Sequence, residues 1–122
     1  ILILNNNSFN NLKNNIEVYS LSKSFNHLDS NKSAITTDII KTGEYLNINI
    51  NDSKSFEYQL AYLGDVNGNG EIDIYDYIRI MKDIMDMTKL DGVYKEAADV
   101  TQNGAVDIYD YIRIMKKIME EE

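Results

Sequence analysis

The chain has 122 residues, no Cys and a net charge of −8. Without thiols it can form neither a disulfide frame nor a thiolate metal site, and without a basic stripe to displace counterions from phosphates it is no candidate for binding nucleic acid. The five Lys of residues 1–63 nearly balance six Asp or Glu, so almost all of the net charge falls after residue 63.

Ile1 to Leu4 is too short for a membrane span or a signal peptide and reads as an edge strand. No stretch approaches the roughly eighteen apolar residues of a membrane helix. A start without Met, inside an apolar run, reads as a piece cut from a longer protein, with any export signal upstream. Asn7 and Ser8 are placed to cap a helix over Phe9 to Asn15, in which Phe9, Leu12 and Ile16 share a face. Glu17 to Ser22 alternates as a strand. Two further strands are expected at Glu44 to Ile50 and Ser55 to Leu63, joined by a hairpin at Asn51-Asp52, with Phe56, Tyr58, Leu60 and Tyr62 as the inward set of the second. His27 stands alone, without acidic neighbours at ligand spacing, and reads as a surface or interface histidine.

After residue 63 the sequence repeats itself. DVNGNGEIDIYD at residues 65–76 returns as DVTQNGAVDIYD at residues 99–110, and each copy runs into nearly the same helix. In the first copy Asp65, Asn67, Asn69, Asp73 and Asp76 occupy positions one, three, five, nine and twelve, with Gly70 at the sixth. This is the spacing of an EF-hand-type calcium loop. A hard cation at about 2.3–2.6 Å from oxygen ligands needs a loop that curls around it, and a residue without a Cβ makes the sharp turn cheaply. The carbonyl of Glu71 supplies the seventh position, Asp73 acts through water, and Asp76 donates from the first turn of the helix. The second loop offers Asp99, Thr101, Asn103, the carbonyl of Ala105, Asp107 and Asp110, with Gly104 at the turn. Thr101 is a shorter, poorer ligand than Asn67, so the second site is expected to bind more weakly. Surface turns rich in Asp, Asn and Gly would account for one such stretch, but not for two in the same register.

On a helical projection Ile74, Tyr77, Ile78, Met81, Ile84 and Met85 fall on one side of the first helix, with Tyr75, Arg79, Lys82 and Asp86 on another. The second helix sorts alike: Ile108, Tyr111, Ile112, Met115, Ile118 and Met119 inside, Tyr109, Arg113, Lys116 and Glu120 outside. The two apolar stripes are expected to pack together about an approximate twofold axis. Met87, Leu90, Tyr94 and Ala97 make a short link over their junction. A segment of about sixty residues is near the lower limit for a self-sufficient core, and calcium is one remedy.

Residues 64–122 resemble a dockerin domain, through GDVNGNG at 64–70, DVTQNG at 99–104 and DIYDYIRIMK at both 73–82 and 107–116. The resemblance implies an all-α pair of EF-hand-like loops that binds two Ca²⁺ in order to fold, with the ligand positions named above. It also implies a cohesin partner, read through Ile74, Tyr75, Lys82, Asp83 and Asp86 in one copy and Ile108, Tyr109, Lys116, Lys117 and Glu120 in the other. Many members carry a Ser-Thr pair where this chain has Ile-Tyr twice, and the aromatic pair points to a more apolar contact. Residues 1–63 resemble, more faintly, the small modules that precede such repeats in surface and secreted proteins of low-GC Gram-positive bacteria.

The expectation is therefore an α+β chain: a small, mainly β module over 1–63 followed by a dockerin-like domain over 64–122. It acts as a calcium-dependent docking module, monomeric when free, that tethers a secreted or cell-surface parent protein to a cohesin. The Tyr-Arg sets, Tyr75 with Arg79 and Tyr109 with Arg113, form its protein-facing surface. The alternative is a calcium-stabilised structural module with no cohesin partner. A calcium sensor is disfavoured because the helices that precede the two loops in such sensors are missing, and an enzyme because no nucleophile, base and orienting acid converge.

Overall fold

The computed structural model describes residues 1–17, 24–51 and 54–120. The elements are β1 (Leu2–Leu4), α1 (Phe9–Glu17), β2 (Ser24–Leu28), β3 (Ala34–Ile35), β4 (Tyr45–Asn51), β5 (Lys54–Tyr62), α2 (Ile74–Ile84), α3 (Gly92–Ala98) and α4 (Ile108–Glu120). The architecture is α+β: a five-stranded sheet in the first half and, among the described residues, helices alone in the second.

The sheet order is β1-β5-β4-β2-β3, with β1 parallel to β5 and the other pairs antiparallel. Phe9 and Leu12 of α1 pack with Ile40, Leu46, Ile48 and Leu60, and Leu2, Leu4 and Ile16 join them, so the expected Phe9-Leu12-Ile16 face does meet the sheet. The start of α1 is capped twice. Ser8 Oγ accepts the Asn11 N–H at 3.1 Å, and Asp38, distant in sequence, accepts the Asn10 N–H at 2.6 Å.

The strand and histidine expectations are met only in part. Glu17 ends α1, and the rest of the strand expected over 17–22 lies outside the described residues. Asn51 pairs with Lys54 across the β4–β5 turn, and Asp52 of the expected hairpin also lies outside them. Phe56 and Tyr58 are exposed, whereas Leu60 is buried. The cause is length: nine residues of α1 reach about 14 Å, whereas the nine residues of β5 run about 30 Å, so the helix cannot cover both ends of the strand. His27 is buried in β2, not on the surface. Its ring stacks on Phe9 with centroids 4.6 Å apart, Nε2 meets Glu44 Oε1 at 2.8 Å and Nδ1 meets the Thr37 carbonyl at 2.9 Å. Glu44 is a neighbour that only the β2–β4 pairing brings close, which is why local spacing did not show it.

The second half packs Val66, Ile72, Ile80, Leu90, Ala98 and Ile114 into its own core, flanked by Tyr77, Ile84, Tyr111 and Ile118. Ala61 of β5 is buried with Val93 and Ala97 of α3, and the Gly64 N–H donates to the Ala97 carbonyl at 2.9 Å. The sheet is thus seated directly on the helices. The phase of the helices departs from expectation: Ile74 and Ile78 of α2 and its C-cap Met85 are exposed, as are Ile108, Ile112 and Met119 of α4, whereas Ile80 and Ile114 are fully buried. Asp76 and Asp110 set this rotation. Each must turn inward to its own loop, and a residue four positions later lies on the same face of the helix.

Candidate metal centre and docking face

In the first loop the acid at position nine starts the helix and the acid at position twelve closes the loop. Asp73 is the N-cap of α2 and accepts the Tyr75 N–H at 3.1 Å, while Asp76 Oδ2 accepts the Asp73 N–H at 2.8 Å, a reciprocal capping pair. The other oxygen of Asp76 accepts the N–H groups of Val66 and Asn67 at 2.9 and 3.0 Å, folding the start of the loop back onto its end. Asp65 Oδ1 accepts from Asn69 N–H and Oδ2 from Gly70 N–H, both at 3.0 Å. Asn69 Oδ1 accepts the Glu71 N–H at 3.0 Å, which fixes the peptide plane beside the Glu71 carbonyl. Gly70 has φ +87° and Gly104 φ +90°, the left-handed turn that both loops require.

The second loop repeats these bonds. Asp107 Oδ1 accepts from Tyr109 N–H, Asp110 Oδ2 from Asp107 N–H, Asp99 from the N–H groups of Asn103 and Gly104, and Asn103 Oδ1 from Ala105 N–H. One bond differs. The Thr101 hydroxyl donates to Asp110 Oδ1 at 2.8 Å, where the first loop has the longer Asn67.

Electrostatics mark the inner carboxylates. Burial pushes the Asp76 carboxyl up to about 7, against the N–H groups of Asp73 and Asn67, and repulsion from Asp65 and Asp73 adds to the rise. Burial likewise raises Asp65, against bonds from Thr42, Gly70 and Asn69, and raises Asp110. Among the described residues no three His, Cys, Asp or Glu side chains form a ready-made metal cluster. Such a cluster is not what this loop type presents: position nine works through water, and amide and carbonyl oxygens complete the set. An all-oxygen donor set around two buried, mutually repelling acids fits a hard divalent cation.

Beside the loops lie two matching outward faces. Tyr75 is 66% exposed and Tyr109 65%; Ile74 is 46% exposed and Ile108 49%. Lys82, Asp86, Arg113, Lys116 and Glu120 are exposed as well. Of the other expected docking residues one is buried and two are only partly exposed. Asp83 is buried and accepts the Leu90 N–H at 2.7 Å, so it fastens the chain after α2 and does not face solvent. Arg79 is half-buried and donates to the Thr88 carbonyl at 3.0 Å. Lys117, the repeat mate of Asp83, is half-buried with Nζ 5.8 Å from the centre of the Tyr62 ring.

Ile78, Met85, Ile112 and Met119 were expected inside and instead extend the outer face. Their position was open to sequence reasoning, since the inward duty of Asp76 and Asp110 fixes the helix phase. No curated protein matches the chain. Residues 63–119, just under half of the chain and spanning both loops, match the model of the dockerin type I domain, a family of calcium-binding modules that dock onto cohesins.

Proposed function

We propose that residues 64–122 are an all-α dockerin domain, set behind a separate small module of residues 1–63, and that it holds two Ca²⁺ and binds a cohesin. The ligands are Asp65, Asn67, Asn69, the Glu71 carbonyl, Asp73 and Asp76 in the first loop. In the second they are Asp99, Thr101, Asn103, the Ala105 carbonyl, Asp107 and Asp110. The docking face comprises Ile74, Tyr75, Arg79, Lys82 and Asp86 of the first copy and Ile108, Tyr109, Arg113, Lys116, Lys117 and Glu120 of the second, widened by Ile78 and Ile112. The function is non-catalytic: a free monomer that tethers its parent protein, secreted or on a cell surface, to a scaffold or anchored partner.

The observation that carries this reading is the near-equal exposure of the repeat mates Tyr75 and Tyr109 beside equally buried Asp76 and Asp110. Large apolar and aromatic side chains kept in water twice, in the same register, suit a partner surface better than a self-contained module. Calcium-dependent capture of a cohesin, abolished by chelator, tests it. A structural module without a cohesin partner is the second reading, favoured by the packing of the first loop against the sheet, where a Cβ on Gly70 would lie 3.0 Å from Ile39 Cγ2.

A further inference from the structure

The two loops are alike in sequence but not in surroundings. The first is walled by residues 39–44 of the sheet half, whereas the second, among the described residues, only borders an open cleft there, with Gln102 facing Leu4, Asn5 and Asn6. A Cβ on Gly70 would also come within 3.2 Å of Lys41 Cγ, and one on Gly68 within 2.8 Å of the Thr42 carbonyl, whereas one on Gly104 would meet nothing within 4 Å.

Polar contacts follow the same asymmetry. Asp65 Oδ2, beyond its bond from Gly70, accepts the Thr42 N–H at 2.9 Å, and the Asn7 side-chain amide donates to the Gly70 carbonyl at 3.0 Å. That second bond holds one end of the peptide whose other end, the Glu71 N–H, is tied to Asn69. The wall is itself fixed from the sheet. Glu44 Oε1 accepts the Lys41 N–H at 2.8 Å as well as meeting His27, the Gly43 N–H donates to the Leu60 carbonyl, and the Ile40 N–H donates to the Asn7 carbonyl. Among the described residues Asp99 accepts only from N–H groups of its own loop.

We propose that Asn7 and the 39–44 turn are positioning residues for the first calcium site, so that an ion in that loop, and not one in the second, stabilises the sheet of residues 1–63. This rests on the reading of the loops as calcium sites. The physical reason is that ligands held from behind lose less freedom on meeting the ion, and partners behind metal ligands set affinity. Coupling of this kind is reciprocal: whatever the sheet lends to the ion, the ion returns to the sheet.

The test uses the full chain with one loop disabled at a time, titrated with CaCl₂ by calorimetry and followed by amide hydrogen exchange. In Asp99→Ala, calcium is expected to slow exchange at Leu46 and Leu60 by about tenfold or more, as mass action on the sheet requires. In Asp65→Ala it should leave them unchanged. Asn7→Ala should weaken the first-loop binding event by about tenfold, the usual effect of removing a group behind the ligands, and spare the second. That contrast within one molecule separates positioning from general destabilisation. It also serves if Asp65→Ala does not fold. Calcium heat in Asp99→Ala without slowed exchange, equal slowing in both single-loop variants, or an unaltered first event in Asn7→Ala would overturn the proposal while leaving the calcium reading intact. No calcium heat in the wild-type chain would remove both.

Discussion

Tyr77 and Tyr111, one repeat apart, meet each other across the α2–α4 interface: their rings lie 4.3 Å between centroids and their hydroxyls are hydrogen-bonded. Contact between a residue and its own repeat mate is the signature of a local twofold axis. The axis carries the outer faces with it, since Ile80 and Ile114 sit inside while Tyr75 and Tyr109 point out from equivalent places.

The helix phase makes a direct stability prediction. With calcium present, Ile80→Ala or Ile114→Ala should each cost about 3 kcal/mol, as for other buried Ile truncations. Ile74→Ala and Ile108→Ala should each cost about 0.5 kcal/mol or less, as at other exposed sites. Urea unfolding with calcium in excess measures this. Equal costs for inner and outer isoleucines would mean that the outer face is covered in solution.

The α2–α4 pair, α3 and the turns of the two repeated loops were legible in the sequence because their chemistry is local. A Gly at the sixth loop position and oxygens at alternate positions follow from the geometry of one turn. What was not legible depends on distant pairing: β2 and β3, the His27–Glu44 pair, and Asn7 and Thr42 behind the first loop all owe their places to the sheet. Asp83 was misplaced for a related reason, because its partner, the Leu90 N–H, lies beyond the end of the helix where projection stops. The apolar excess of α2 and α4 also hid their phase, since stripes on adjoining faces leave projection alone without a unique inner side.

Folding of the second half should depend on calcium. For a dissociation constant of about 1 μM and free calcium of about 1 mM, mass action contributes roughly 4 kcal/mol, comparable with the stability of so small a domain. Circular dichroism in chelator and then in calcium should show helix gained on addition. Helicity and melting temperature that ignore the titration would contradict it.

The sites should be unequal. Asp65→Ala should remove the tighter event and Asp99→Ala the weaker, because Thr101 is a shorter, poorer ligand than Asn67 and the Thr42 N–H stands behind Asp65 in the first loop. Calorimetry on the wild-type chain should resolve two affinities. Indistinguishable events would show that Thr101 serves as well as Asn67.

The raised carboxyls give the metal-free protein an inverted pH dependence. With Asp76 held up at about 7 when folded and near 3.9 when unfolded, the folded state keeps a proton that the unfolded chain has released. That contribution is fully present below about pH 4 and is lost as pH rises through about 7. Asp65 and Asp110, also raised, act in the same direction. In chelator the residual helicity should therefore be higher at pH 5 than at pH 8. Calcium, competing with these protons, should release them on binding, measurable as a buffer-dependent calorimetric heat. Metal-free helicity that climbs from pH 5 to 8 would contradict the assignment.

The central claim is that the two outer faces hold a cohesin with calcium bound, and its most direct measurement is calorimetric titration of the chain with cohesin domains in calcium. Because the twofold brings Tyr109 and Arg113 to where Tyr75 and Arg79 stand, the Tyr75→Ala/Arg79→Ala protein should lose about 1 kcal/mol or less of binding energy. Adding Tyr109→Ala and Arg113→Ala should cost several kcal/mol, and chelator should abolish binding. Full affinity in the quadruple variant would contradict the account of the docking face, and the absence of any calcium-dependent cohesin partner would contradict the docking function itself.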